Sequence, residues 1–206
     1  MSTLIEVSEF ELWWKKHQKV LRGIAAVILV AGAAYTVYTQ QRNARLDSAA
    51  TLLAAADAGA ENKNAVALQG AAEQLQTQHP ETHHASLALL QLARFQADQK
   101  QFKESEASAK WVIEHAPLPV FKDVANLHIA QLKIQQQDWN AAIATLSQPF
   151  SDESYKATAN ELLADVNAIR GNLVNARSQY TKALNTQPQG HPYRDMIQHK
   201  LDSLTQ

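Results

Sequence analysis

The sequence predicts an all-α protein: one N-terminal transmembrane helix followed by a domain of repeated helix pairs. Three observations carry this reading. From Gly23 to Gln41 no residue is charged, and basic residues flank the run on both sides. Glycine and proline number only six each in 206 residues, so the chain has few breakers and should be mostly helical. Past Arg45 the apolar residues recur with a period near 3.6, interrupted by short breaks.

The first element is a membrane anchor over 23–41. As a helix its 19 residues span roughly 28 Å, close to the thickness of a bilayer's hydrocarbon core. Ile24, Val27, Ile28, Leu29, Val30 and Val37 together favour insertion by about 2–4 kcal/mol, and the alanines add little. Trp13 and Trp14 before the run, with Tyr35 and Tyr38 near its end, suit the two interfacial belts. Lys15, Lys16, Lys19 and Arg22 precede the run, whereas Arg42 and Arg45 follow it. The positive-inside rule then leaves segment 1–22 in the cytoplasm and carries 42–206 across the membrane. Two rivals share the pattern. A cleaved signal peptide would use Ala31-Gly32-Ala33 as its A-x-A site, but the 22 residues before the core are long and acid-containing, and Tyr35, Val37 and Tyr38 extend the apolar run past the cut. A buried helix of a soluble protein would need its apolar run covered on all sides.

Beyond the anchor the periodicity predicts helices over 46–58, 63–78, 82–98, 101–115, 119–136, 139–147, 154–169, 172–186 and 192–204. Breaks fall at Gly59, Pro80, Pro117 and Pro119, 149–152, Gly171, and 188–192. No stretch alternates as a strand. Helix pairs with short loops invite a search for repeats, and the 34-residue tetratricopeptide pattern fits. In "ATANELLADVNAIRGNLVNARSQYTKALNTQP", Leu163 and Ala164 lie where the first helix packs and Gly171 turns the chain. Ala176, Tyr180 and Ala183 follow at helical spacing, and Pro188 closes the unit. "NLHIAQLKIQQQDWNAAIATLSQP" offers Ile129 and Ala130, then Trp139 and Ala142. "SLALLQLARFQADQKQFKESEASAKWVIEHAP" offers Leu92, Ala93, Ser105 and Ala109. The small residues Ser105, Ala142 and Ala176 are in phase, each three residues after Phe102, Trp139 or Leu173. Trp111, Trp139 and Tyr180 are expected to fill the core, and the stacked pairs to expose a groove for peptide segments or partner helices.

Composition excludes several functions. Lys and Arg total 19 against 20 Asp and Glu, with no basic stripe, so nucleic acid is not an expected partner. Without cysteine there are no disulfides, thiolate nucleophiles or Cys-based zinc sites. The eight histidines include His79, His83 and His84 in "HPETHH", an exposed helix junction that needs no ligand geometry to explain it. His128, beside Leu127 and Ile129, reads as a satisfied or half-exposed histidine, and Asp123, Glu161 and Asp165 as solvated charge on amphipathic helices. No phosphate loop, G-x-S-x-G or H-E-x-x-H is present. No catalytic, cofactor-binding or metal-binding residue is assigned, and the chain reads as a non-enzyme with a lipid-facing anchor.

A short charged N-terminus, "WWKKH" before a single anchor, "LDSAATLLAAA" directly after it, and degenerate repeats to the end form a recognisable layout. It closely resembles the YfgM family, the ancillary subunit of the bacterial SecYEG translocon. The resemblance implies a single-pass protein of the bacterial inner membrane with a periplasmic tetratricopeptide-like domain. Its implied partners are SecYEG subunits, the membrane-anchored periplasmic chaperone PpiD, and secretory polypeptides emerging unfolded. Its implied role is to help pass those polypeptides to periplasmic chaperones. An alternative from the same resemblance is a regulatory tether whose cytoplasmic segment restrains a stress-response regulator, RcsB. From the anchor follows a direct check: full-length protein should stay with membranes through high-salt and carbonate washes and leave only in detergent. Release by carbonate would exclude the anchor.

Overall fold

The computed structural model describes residues 3–187 and 190–204, with side chains from residue 11 onward. Among the described residues all regular structure is helical: α1 (Thr3–Glu61), α2 (Ala65–Gln78), α3 (His83–Asp98), α4 (Phe102–His115), α5 (Pro119–Gln135), α6 (Trp139–Leu146), α7 (Glu153–Ile169), α8 (Leu173–Thr186) and α9 (Arg194–Ser203). The chain divides into two units, 1–48 and 49–206. The breaks expected at Pro80, Pro117, 149–152 and Gly171 fall between helices, and Pro119 is the first residue of α5. Pro188 lies outside the described residues.

One boundary differs. The helix expected over 46–58 is not a separate element, and Gly59 is not a break, because α1 continues through both. Gly59 is where α2 comes closest. A Cβ placed on it would lie 2.6 Å from the backbone nitrogen of Leu68. The glycine therefore serves close helix approach, not chain reversal.

The second unit is built from four helix pairs joined by the same turn. Lys63, Lys100, Gln137 and Gly171 all take the left-handed conformation, with φ of 53°, 61°, 60° and 75°. After each, the next backbone N–H reaches five residues back: Asn64 to Gly59, Gln101 to Gln96, Asp138 to Lys133, and Asn172 to Asn167, at 2.8–2.9 Å. This is the Schellman closure, which satisfies carbonyls left over at a helix end. Only the last of the four turns uses glycine.

Counted from these turns, the core falls into register. Seven residues before them stand Ala56, Ala93, Ala130 and Ala164, and five after them Leu68, Ser105, Ala142 and Ala176, all without solvent exposure. Ala72, Ala109, Leu146 and Tyr180, nine after, are also buried. Small side chains at recurring positions let paired helices approach closely, while Leu75, Val112 and Val166 fill the space beyond. The first pair, formed by the end of α1 with α2, was not among the three units legible in the sequence. Ala65 stands where Phe102, Trp139 and Leu173 mark the others, and Leu68 replaces the small residue.

Helix starts are capped locally. Asn64, Thr82, Asp138 and Asp152 each accept a backbone N–H from the first turn of α2, α3, α6 and α7. Each such cap is worth about 1 kcal/mol. Pro119 opens α5 at a position where its missing N–H matters least. The short α6 is followed by a loop that Asp123 ties down. That carboxylate, 3% exposed, accepts from Ser151 N at 2.9 Å, Ser151 Oγ at 2.6 Å and Asp152 N at 3.0 Å. Asp123 is thus a buried structural acceptor and not the solvated charge expected from its helix.

Helix α9 covers the last pair. Ile197 is buried against Ala164, Tyr180, Ala183 and Leu184. Lys200 reaches Glu161 and Asp165 of α7, each at 2.8 Å, and the Tyr180 hydroxyl donates to Asp165. Arg194 donates to the backbone carbonyls of Leu184 and Gln187 at the end of α8. Glu161 and Asp165 therefore act as a latch for the terminal cap.

Two substitutions test the register. Gly59→Ala should destabilise the repeat unit by about 1–3 kcal/mol, since backbone and not a flexible side chain stands in the way. Gln137→Gly should stabilise it by about 0.5–1 kcal/mol by removing left-handed strain. Denaturant unfolding followed by circular dichroism reads both.

Candidate membrane anchor and interaction surface

Helix α1 contains the apolar run, and its length follows from composition: residues 23–41 include two glycines, at 23 and 32, no proline, and many alanines and β-branched residues. The candidate span lies within Glu11–Glu61, its best 18-residue window has a mean hydropathy of 2.0, and none of that window is buried inside the chain. Ile24, Val27, Ile28, Leu29, Val30 and Val37 are all more than half exposed. A core helix would hide these side chains, so that rival reading loses its footing. Thr36 donates to Ala33 O at 2.8 Å and Thr39 to Thr36 O at 2.9 Å, so their hydroxyls are satisfied without water.

Ahead of the run, α1 carries Lys15, Lys16, Lys19 and Arg22, all exposed. Trp13 and Trp14 are exposed too. The Trp13 ring packs against His17 at 5.0 Å, and His17 Nδ1 lies 2.8 Å from Trp13 O. Aromatic rings beside cations are the side-chain chemistry of a membrane–water boundary.

In the repeat unit the predicted packing residues Leu92, Ala93, Ser105, Ala109, Ile129, Ala130, Ala142, Leu163, Ala164, Ala176, Tyr180 and Ala183 are all buried. Trp139 and Trp111 are only half-buried, so neither is the core plug the sequence proposed. Trp111 packs against the core from one side, and its ring stacks on His115 at 4.4 Å and 8°.

The buried polar groups are structural. Ser105 Oγ lies 2.8 Å from His128 Nε2 and donates to Ala93 O at 2.6 Å. This serine–histidine contact cannot act as a nucleophile pair. Ser105 is fully buried, its proton is committed to a carbonyl, and a nucleophile needs both a base and access. The contact ties α3, α4 and α5 together at the point where Ser105 replaces alanine. Burial pushes the His128 imidazole below the ordinary histidine value, and the Arg94 cation pushes it the same way. His84 is lowered as well, by burial and then by His83 and His79. The His83 and His84 rings sit 3.9 Å apart. Hydrogen bonds from Lys110 and Lys133 hold the Glu106 carboxyl below its usual range. Burial and Asp165 raise Tyr180, which keeps its hydroxyl protonated and donating.

The described residues thus present an exposed apolar helix long enough to cross a membrane and an array of helix pairs. Residues 11–206 match the family model described as a tetratricopeptide repeat-like domain. The chain belongs to that family. Over 200 residues it is also 27% identical to the protein named ancillary SecYEG translocon subunit from Neisseria gonorrhoeae (strain ATCC 700825 / FA 1090), covering 97% of this chain and 95% of that one.

The histidine shifts fix a pH dependence. Folding favours the neutral rings of His128 and His84, so their contribution to stability is fully present above the ordinary histidine value of about 6.5 and is lost as pH falls below it. Thermal unfolding of the full chain in detergent should therefore show a lower midpoint at pH 5.5 than at pH 7.5. His128→Gln should flatten that difference, and an unchanged slope would remove His128 as its source.

Proposed function

We propose that this protein is a non-enzymatic accessory of a Sec-type translocon, held in the bacterial inner membrane by α1. In this reading segment 1–22 is cytoplasmic and the repeat unit is periplasmic. The repeats offer a binding surface to polypeptides emerging from the channel and to a membrane-anchored periplasmic chaperone of the PpiD type, which receives them. One observation supports this most: the similarity to the ancillary SecYEG translocon subunit runs end to end through anchor and repeats alike, not through the repeats alone. Repeats by themselves occur with many partners, and only a shared anchor ties the module to a membrane assembly. The exposed cations at Lys15, Lys16, Lys19 and Arg22 support the orientation.

Two measurements test this. The chain has no cysteine, so a single introduced one is a clean reporter. In intact spheroplasts Asn185→Cys should react with a membrane-impermeant maleimide, and Glu11→Cys only after lysis; the reverse pattern would invert the topology. In mild detergent the full chain should copurify with SecYEG, and replacing 23–41 by an unrelated transmembrane helix should weaken that association. Absence of SecYEG from the purified wild type would sink the assignment.

A further inference from the structure

A groove of about 530 Å³ runs between α2 and α4 across α3. Leu89 and Leu92 of α3 line it, and each is nearly buried, so they form an apolar floor. Trp111 borders it from α4, half-exposed and held in place by its stack on His115. Ser108 of α4 donates to the side-chain carbonyl of Gln96 at 2.8 Å, which leaves the Gln96 amide nitrogen as a donor at the groove. Three carboxylates, Glu73, Glu104 and Glu114, stand around it. The lining lysine, Lys110, shares Glu106 with Lys133, and against the three carboxylates it leaves the groove a negative surplus.

We propose that this groove binds an extended segment of polypeptide that carries a lysine or arginine next to an apolar side chain. The inference rests on the reading above, which it deepens by naming the surface and the chemistry of its occupant. The apolar side chain lies over Leu89 and Leu92. The cation is drawn by the surplus of carboxylates, and the indole of Trp111 adds apolar contact at the groove's border. The Gln96 amide pairs with a peptide carbonyl, and an extended chain presents such carbonyls whereas a helix keeps them within itself. A site of this kind selects charge sign and an apolar anchor without reading a longer sequence, which suits diverse unfolded clients.

The test uses the full chain in lipid nanodiscs and fluorescein-labelled ten-residue peptides followed by anisotropy. One peptide repeats lysine, leucine and glycine; a second replaces lysine with glutamate; a third places lysine and leucine on an amphipathic, stably helical frame. The extended cationic peptide should bind, and the anionic one should bind at least about tenfold more weakly. Glu104→Gln and Glu114→Gln should each lower affinity by about two- to fivefold, and Trp111→Ala by about tenfold or more. Glu153→Gln, at an exposed pair with Lys156 elsewhere, should leave it unchanged. Equal binding of the anionic peptide, tighter binding of the helical one, or indifference to the glutamate variants would overturn the proposal. SecYEG copurification of the same variants separates the two failures. If it persists while peptide binding is absent, the groove is wrong and the translocon reading stands; if it is absent from the wild type, the translocon reading falls.

Discussion

Close approach of paired helices is the constraint on which the repeat unit depends. Two helices can be joined by a turn as short as Gln99–Gln101 only if their backbones nearly touch beside it. That requires alanine, serine or glycine at the crossing. Ala56, Ala93, Ala130 and Ala164 meet the requirement on the first helix of each pair, and Ser105, Ala142 and Ala176 on the second. Where the second helix carries a larger residue, Leu68, the first helix answers with Gly59 against its backbone. The small residue is a shared allowance between two helices, and either can supply it. A methyl group added at such a crossing has no void to enter, because the surrounding interior is already close-packed.

Small residues alone bury little area per helix, so the pairs need locks. Polar side chains that reach between elements supply them, and three stand out. His128 joins α5 to Ser105 of α4, Asp123 fastens the loop after the short α6, and Lys200 fastens α9 to α7. Each sits where the repeat pattern is irregular: a serine in place of alanine, a truncated second helix, a helix outside the four pairs. The fourth pair has an apolar face of Ala164, Tyr180, Ala183 and Leu184, and α9 covers it with Ile197. Polar locks also specify one arrangement where alanine surfaces could slide.

Much of the architecture was legible in the sequence. Helix positions after residue 62 follow from period and breakers, because proline is scarce and each described one stands at a helix boundary, whereas Gly70 lies inside α2. Gly59 was misread because a glycine far from any other breaker looks like a stop, and only the neighbour at Leu68 reveals close approach. The first helix pair was missed because its opening half is continuous in sequence with the anchor and because Ala65 and Leu68 depart from the pattern of the later pairs. Asp123, Glu161 and Asp165 were read as solvated since each stands on a helix with a 3.6-residue apolar stripe, and stripes say nothing about which loop or terminal helix folds back over the polar side. The groove between α2 and α4 was beyond reach for a related reason: Glu73, Leu92 and Trp111 are spread over three helices.

By itself, then, the sequence determined the membrane-length apolar run, the sign of charge before it, the helical class and the phase of three helix pairs. These are properties of local composition and period, and they need no knowledge of distant neighbours. Tertiary structure alone decided that Gly59 is a contact, that Asp123 and His128 are buried partners, and that scattered carboxylates and a tryptophan border one groove. Those depend on which residues far apart in the chain come within a few ångströms, a quantity that periodicity does not encode.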